Sequence, residues 1–295
     1  MSRVALALDV GGTKIAAALV AEDGTLPYRT QRPSSRQPMA DTAESARELA
    51  SVAREKEYAI AGLGAGFPEY VDPAGLLTSR EVVDWDEQPR ALLARALPGV
   101  PVTVDSDVRC GARGEARWGA GAEAGFLYVS LGTGLSSTLI LPGGEPLPGA
   151  RGEAIALGEL GVPSTVDAEW LGSLERYASG RGIGERYTAL TGTETPGARE
   201  VTELAGAGDR RAAWVLDSAG RALGTVLAEL VRLLDPAAVV LGGGLGTTET
   251  GRVRRALDAT YAEALAETGR PSSPPLRTAT ADSAAGLLGA AALVL

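Results

Sequence analysis

An apolar strand, a glycine turn and a returning strand occur twice in this chain. A shift of 121 residues lays one copy on the other, with Gly11 falling on Gly132. The first copy is an apolar run at 4–8, the turn Asp9-Val10-Gly11-Gly12-Thr13-Lys14 and a return at 15–20. The second is a run at 126–130, the turn Leu131-Gly132-Thr133-Gly134 and a return at 137–141. One long-period match predicts two related lobes. A solenoid would repeat every ~20–50 residues. The length of 295 residues agrees, being enough for about two domains of ~150 residues.

Helical and strand patterns alternate around both copies. Residues 42–56 read as a helix capped by Asp41 or Thr42, and 59–66 as a buried strand. A helix over 91–97 stops at Pro98-Gly99, and a strand follows at 100–104. Residues 212–234 carry apolar side chains at helical spacing up to Asp235-Pro236, before a strand at 239–241. The tail from 284 reads as a packed apolar helix. This alternation predicts an α/β protein with two sheets. The expected division is 1–115 for the first lobe and 116–280 for the second, with a hinge in the Gly- and Ala-rich stretch 111–125. The helix at about 281–295 is expected to pack back on the first lobe.

Composition removes several classes of chemistry. There is no histidine, so the commonest general base and transition-metal ligand is missing, and Cys110 is the single cysteine. Acid–base work must fall to carboxylates, Lys, Tyr or that thiol. The net charge of −9, without a basic block, argues against a nucleic-acid partner. No run approaches ~20 apolar residues, and the apolar run before Asp9 is too short for a secretory leader, so a cytoplasmic chain without a membrane partner is expected.

Three glycine turns, at 9–14, 131–134 and 241–244, each follow an apolar strand. Such a turn can present backbone N–H groups to an anion, because no Cβ blocks close approach. Each alone reads first as an ordinary tight turn; together, in two similar lobes, they point to a bound nucleotide. Neither the Walker pattern nor G-x-G-x-x-G is present.

Taken in order, the turn at 9–14 resembles the first phosphate motif of the ROK family in the actin-like ATPase superfamily. Leu131-Gly132-Thr133-Gly134 resembles its second phosphate motif, and Val240-Leu241-Gly242-Gly243-Gly244 its adenosine motif. The tail Ala284-Ala285-Gly286-Leu287-Leu288-Gly289-Ala290-Ala291 is similar to its closing helix. The resemblance spans nearly the whole chain. It implies two actin-like (ribonuclease H-like) lobes with ATP and sugar bound between them, Mg²⁺ as companion ion, and a homodimer. ATP would meet Gly11, Gly12, Thr13, Lys14, Gly132, Thr133, Gly134, Gly242, Gly243 and Gly244. Asp9 would lie near Mg²⁺ through water, since that ion keeps much of its hydration shell. The catalytic base would be Asp107 in Val104-Asp105-Ser106-Asp107, taking the alcohol proton where no histidine exists. Local sequence also allows Asp107 to cap the helix that follows.

Departures from the family pattern gather around the acceptor. Val162 stands where the family has His after Gly158-Glu159-Leu160-Gly161, and the zinc cysteines are absent, so no structural zinc is expected. Pro163, with packing by Val166, Trp170 and Leu171, is expected to take its place. Glu159 and Glu175 stand where the family contacts sugar hydroxyls; an ungapped match from Gly152 would instead put Ala156 at the first of these positions. Ser106 replaces an Asn, Glu69 replaces a small Gly, and Ser79 keeps a hydroxyl facing the sugar. An added carboxylate at Glu69 suits an ammonium group, which points to an amino sugar of kanosamine type.

The resulting expectation is an ATP-dependent kinase acting on a primary hydroxyl, the 6-OH, of a hexose-like substrate. A C7-cyclitol kinase and a glucokinase are the alternatives within that class. From other classes, a repressor needs a helix-turn-helix before the first turn, which arrives at residue 9. A non-catalytic sugar- or nucleotide-binding regulator would not need three glycine turns together with Asp107.

Overall fold

The computed structural model describes residues 2–35, 38–121, 124–266, 272–281 and 284–295. The chain divides into two compact units. Unit 1 comprises Met1–Glu123, Ile140–Ala154 and Thr280–Leu295; unit 2 comprises Ala124–Leu139 and Ile155–Ala279.

Unit 1 opens with β1 (Arg3–Val10), β2 (Lys14–Ala21) and β3 (Tyr28–Pro33), followed by α1 (Pro38–Glu55) and β4 (Ala59–Phe67). It continues through α2 (Pro89–Ala96), β5 (Val102–Ser106) and α3 (Asp107–Trp118). The strands form one sheet in the order β3-β2-β1-β4-β5. β2 is antiparallel to β1 and β3, whereas β4 runs parallel to β1 and β5. Because successive side chains point to opposite faces, Val4-Ala5-Leu6-Ala7-Leu8 puts large residues on one face and alanines on the other. Val4, Leu6 and Leu8 join a core with α1 residues such as Leu49. Ala5 and Ala7 face a second core holding Cys110 of α3.

Unit 2 contains β6 (Phe126–Leu131), β7 (Leu135–Ile140), the short α4 (Leu174–Ala178), α5 (Gly180–Thr191), α6 (Ala198–Gly206) and the long α7 (Arg210–Leu234). It ends with β8 (Val239–Gly242), the short α8 (Gly243–Thr247), α9 (Arg252–Ala266) and β9 (Leu276–Thr278). Its sheet has the order β7-β6-β8-β9, with β8 parallel to β6 and β9. β7 starts at Leu135, 121 residues after β2 starts at Lys14, so the internal match is a match of strands. The apolar stripe of α7, capped by Asp209, fills the centre of the unit 2 core.

The last helix, α10 (Ala285–Ala292), belongs to unit 1 and packs against α3 and β1. The backbones touch: a Cβ at Gly289 would lie 1.5 Å from the Cys110 carbonyl oxygen. This explains the alanine-only face of β1, since larger side chains would hold both helices off the sheet.

A linear division at residue 115 needs correction. It would cut α3, which runs to Trp118, and it would give residues 140–154 to the second unit. That segment belongs to unit 1, where Glu145 pairs with Arg113 of α3 and Gly152 lies against the Val71 carbonyl. Sequence patterning could not reveal this, because the segment is held by long-range contacts. β3 also went unforeseen; its burial only alternates between partial and exposed.

Glu115, fully buried in α3, ties together two distant stretches of unit 1. Its carboxylate accepts from the N–H of Ala120 (2.7 Å), Thr280 (3.1 Å) and Ala281 (2.8 Å). Glu115→Ala removes the acceptor of three part-buried or exposed backbone donors and the ties they make, and is expected to cost about 2 kcal/mol in chemical denaturation. A loss below ~1 kcal/mol would mean that water replaces the carboxylate.

Candidate active site

In unit 1 the parallel strands β1, β4 and β5 place their carboxyl ends side by side, where open α/β sheets bind ligands. Asp9 on β1 is in register with Gly66 on β4, and Gly66 with Asp105 on β5. Gly66 lies against the backbone of Asp107: a Cβ on it would be 3.4 Å from the Asp107 Cα.

The two aspartates of the β5–α3 junction have opposite fates. Asp105 is neutralised by Arg109, whose Nε is 2.5 Å away, and Arg113 lies at 3.5 Å. The cap of α3 is Ser106, whose Oγ accepts the Arg109 N–H at 3.4 Å. That answers the capping question left open by the sequence, because Asp107 is the first residue of the helix and Ser106 is its cap. Asp107 Oδ1 accepts the Val108 N–H at 2.6 Å, and Oδ2 makes no hydrogen bond among the described residues. Burial, the charge of Asp9 and, more weakly, the charge of Glu69 together push the Asp107 carboxyl up to about 7. The Val108 N–H acts against them. An acid that ionises near neutrality can accept a proton from an alcohol as reaction proceeds.

Asp9 is also held up by burial, with Lys14 and Arg29 pulling the other way. Its carboxyl lies against Gly286 in the first turn of α10 and accepts no hydrogen bond among the described residues. In the turn that follows, Gly11 donates to the Lys14 carbonyl at 2.9 Å. The N–H groups of Gly12 and Thr13 are exposed and make no hydrogen bond among the described residues. An unpartnered carboxylate beside unused N–H groups fits an anion accompanied by a divalent cation. Lys14 is exposed at the start of β2.

Two residues expected at the acceptor are engaged in loop hydrogen bonds. Glu69 is only 5% exposed, and its carboxylate is already filled by the Ser79 hydroxyl and the N–H groups of Glu81, Val82 and Val83. The Ser79 Oγ in turn accepts the Tyr70 N–H at 2.9 Å. The four donors fill the Glu69 carboxylate. Ser106 caps α3 and retains its hydroxyl donor.

Unit 2 gathers the other predicted residues. Gly132 donates to the Gly134 carbonyl, and the Gly132 and Thr133 carbonyls accept from Gly180 and Arg181 at the start of α5. The N–H groups of Thr133 and Gly134 make no hydrogen bond among the described residues. Gly243, at φ +73°, lies against the end of β6, where a Cβ would be 2.4 Å from the Leu131 carbonyl oxygen. The 131–134 and 241–244 turns are thus neighbours, with Gly242 closing β8 and Gly244 exposed. Glu175 Oε2 accepts the Leu135 N–H at 3.1 Å, which makes Glu175 a support of the 131–134 turn. Glu159 is exposed at the end of a 3₁₀ turn.

Val162, Val166 and Trp170 pack partly buried against the unit 2 core, with Trp170 edge-on to Tyr177 at 5.1 Å. Leu171 is a correction: it is 98% exposed and packs on nothing. Tyr177 stacks in turn on Arg186, whose guanidinium carbon is 3.4 Å from the ring centroid and whose burial lowers it to about 10. Among the described residues no three or more His, Cys, Asp or Glu side chains gather as a metal set, and no helix is long and apolar enough to cross a membrane.

A cavity of about 360 Å³ in unit 1 opens beside β5, lined among others by Asp72, Arg90, Asp105, Arg109, Arg113 and Glu145. It contains none of the predicted site residues, and its charges largely pair with one another.

Paired acidic strand ends and free glycine-turn amides in a two-sheet α/β protein define the phosphate-handling class of fold. The ROK family profile matches residues 5–295, and the chain belongs to that family. Glucokinase of Streptomyces coelicolor is 31% identical, covering 81% of each chain. N-acetylmannosamine kinase of Escherichia coli is 31% identical, covering 83% of this chain and 84% of its own. The crystal structure of the ROK hexokinase from Thermus thermophilus superposes with a TM-score of 0.83 at 32% identity, covering 98% of this chain and 97% of its own. The fold is that of the actin-like ATPase superfamily.

Proposed function

We propose that this chain is an ATP-dependent carbohydrate kinase that phosphorylates the primary 6-hydroxyl of a neutral hexose. The observation that carries this reading is Asp107, a carboxyl raised to about 7 with one oxygen uncommitted at the carboxyl end of a parallel strand. In this reading Asp107 orients the hydroxyl and takes its proton. The N–H groups of Gly12 and Thr13 bind phosphate oxygens, and Asp9 faces Mg²⁺ through water. In unit 2 the turns at Gly132–Gly134 and Gly242–Gly244 bind the nucleotide. Mg²⁺–ATP supplies the transferable phosphoryl group and the charge neutralisation that such transfers need. A chain using ATP in this way works in the cytoplasm.

The substrates named for the glucokinase and N-acetylmannosamine kinase relatives support a hexose. The ammonium-binding role of Glu69 loses its basis, because a carboxylate has about four acceptor sites and four donors occupy them. That favours a neutral hexose over an amino sugar of kanosamine type.

The test is hexose-dependent ADP release with glucose, mannose, N-acetylmannosamine, 3-amino-3-deoxyglucose, a C7 cyclitol and 6-deoxyglucose, followed by NMR of the product. Turnover of a neutral hexose with phosphate on O6, and none of 6-deoxyglucose, is the expected result. Preference for the 3-amino sugar would overturn the neutral-hexose reading, and no turnover of any acceptor would overturn the kinase reading.

A further inference from the structure

Glu69 buries a carboxylate, 5% exposed, within reach of the Asp107 carboxyl, a costly arrangement unless it is hydrogen-bonded. Its Oε2 accepts from Ser79 Oγ at 2.5 Å and the Glu81 N–H at 2.8 Å; its Oε1 accepts from the N–H groups of Val82 at 2.8 Å and Val83 at 2.7 Å. Three consecutive amides are thereby turned inward onto one side chain. Arg80, Glu81 and Val82 are exposed, whereas Val83 is buried and its N–H needs an internal acceptor.

The loop leads directly to the phosphate turn. The Val82 side chain sits against Gly12, where a Cβ would lie 2.8 Å from Val82 Cγ1. A side chain at position 12 would push the Val82 side chain off this seat. On its other side Glu69 is close enough to Asp107 to act on its carboxyl by charge, behind the larger effects of burial and Asp9. One side chain therefore connects the candidate base with the wall of the first phosphate turn.

We propose that Glu69 is a positioning residue for phosphoryl transfer: by holding the amides of Glu81, Val82 and Val83 it seats Val82 on Gly12 and fixes this wall of the first phosphate turn relative to Asp107. The inference rests on the kinase reading given above. Glutamine at this position offers one acceptor oxygen and aims an amide NH₂ at backbone donors, so it releases the loop with little change in volume. Aspartate keeps the charge but falls short by one methylene.

The experiment compares wild type, Glu69→Gln, Glu69→Asp and Val82→Gly by amide hydrogen exchange over residues 79–85 and by steady-state kinetics with glucose and ATP. In Glu69→Gln, exchange at residues 81–83 is expected to accelerate at least ~10-fold. kcat is expected to fall by up to about 100-fold, as for a misplacement near 1 Å, with the KM for ATP within about threefold. Glu69→Asp, which keeps the charge but not the reach, should move both readouts in the same direction and to a smaller extent. Val82→Gly, at a half-exposed position that leaves Glu69 intact, should lower kcat without altering thermal stability, and it keeps the idea testable if Glu69→Gln does not fold. Faster exchange with kcat within about threefold of wild type would overturn the proposal, as would a fall in kcat with loop exchange unchanged or an unaltered kcat in Val82→Gly. An inactive wild type would instead remove the kinase reading on which the proposal stands. An active wild type with indifferent variants removes the role of Glu69 alone.

Discussion

Asp107→Asn is expected to lower kcat by about 10²–10⁴-fold, the usual contribution of a positioned general base, with the KM for ATP little changed. The same substitution should make the ligand-free protein more stable. Burial and the charge of Asp9 raise the Asp107 carboxyl from its ordinary 3.8 to about 7. Between those values the folded state keeps a proton that the unfolded chain has released, so this residue's contribution to stability falls as pH rises from about 4 to 7. Above that range the carboxylate is a fixed burden, and Asn removes it. At pH 8 the variant should gain roughly 1–3 kcal/mol in urea denaturation, discounted from the full shift because Asp107 is partly accessible. The gain should vanish by about pH 4. Wild-type kcat/KM should rise with pH through about 7 in parallel. Wild-type rates in the variant would exclude Asp107 as the base, and equal stability at pH 8 would show that its carboxylate is solvated.

Gly289→Ala is expected to be the most damaging small substitution for the fold. The added Cβ would sit 1.5 Å from the Cys110 carbonyl oxygen, a backbone atom that cannot move without separating α3 from α10. Overpacking costs about 1–3 kcal/mol and more where backbone must shift, so a loss of at least ~3 kcal/mol is expected against the ~5–15 kcal/mol of a whole domain. In a protein of this size that is roughly 10 °C in Tm. Gly206→Ala, at the end of α6 with no atom within 4 Å of its added Cβ, is the control and should be neutral or slightly stabilising. Equal Tm values for the two variants would mean that the helices do not touch at Gly289.

Strand–turn–strand units were legible because their signal is local. An apolar run bounded by glycines specifies β1 and β2 and, 121 residues on, β6 and β7 with the same chemistry. The long helix α7 was legible from period and caps alone. Asp107 could be singled out only with the family pattern in hand, since Asp105 two residues earlier offers the same functional group. What separates them is Arg109, one helical turn on, which neutralises the first and leaves the second. The loop amides of Glu81, Val82 and Val83 carried no sequence signal, because any residue type supplies an N–H group.

The sequence by itself determined that this chain forms two related α/β units with three glycine turns, and that without histidine any acid–base chemistry falls to carboxylates, Lys, Tyr or the single thiol. Short-range patterning suffices for that, because period, capping and turn chemistry act over a few residues. Tertiary structure alone decided which carboxylate is free, which is paired and which is spent on backbone. Asp105, Asp107, Glu69 and Glu115 share one functional group, yet an ion pair, an open oxygen, four loop donors and three backbone amides from two distant stretches give them four different roles. The physical reason is that the fate of a buried charge is set by partners brought close in space, some from more than 100 residues away in the chain, as Thr280 is to Glu115.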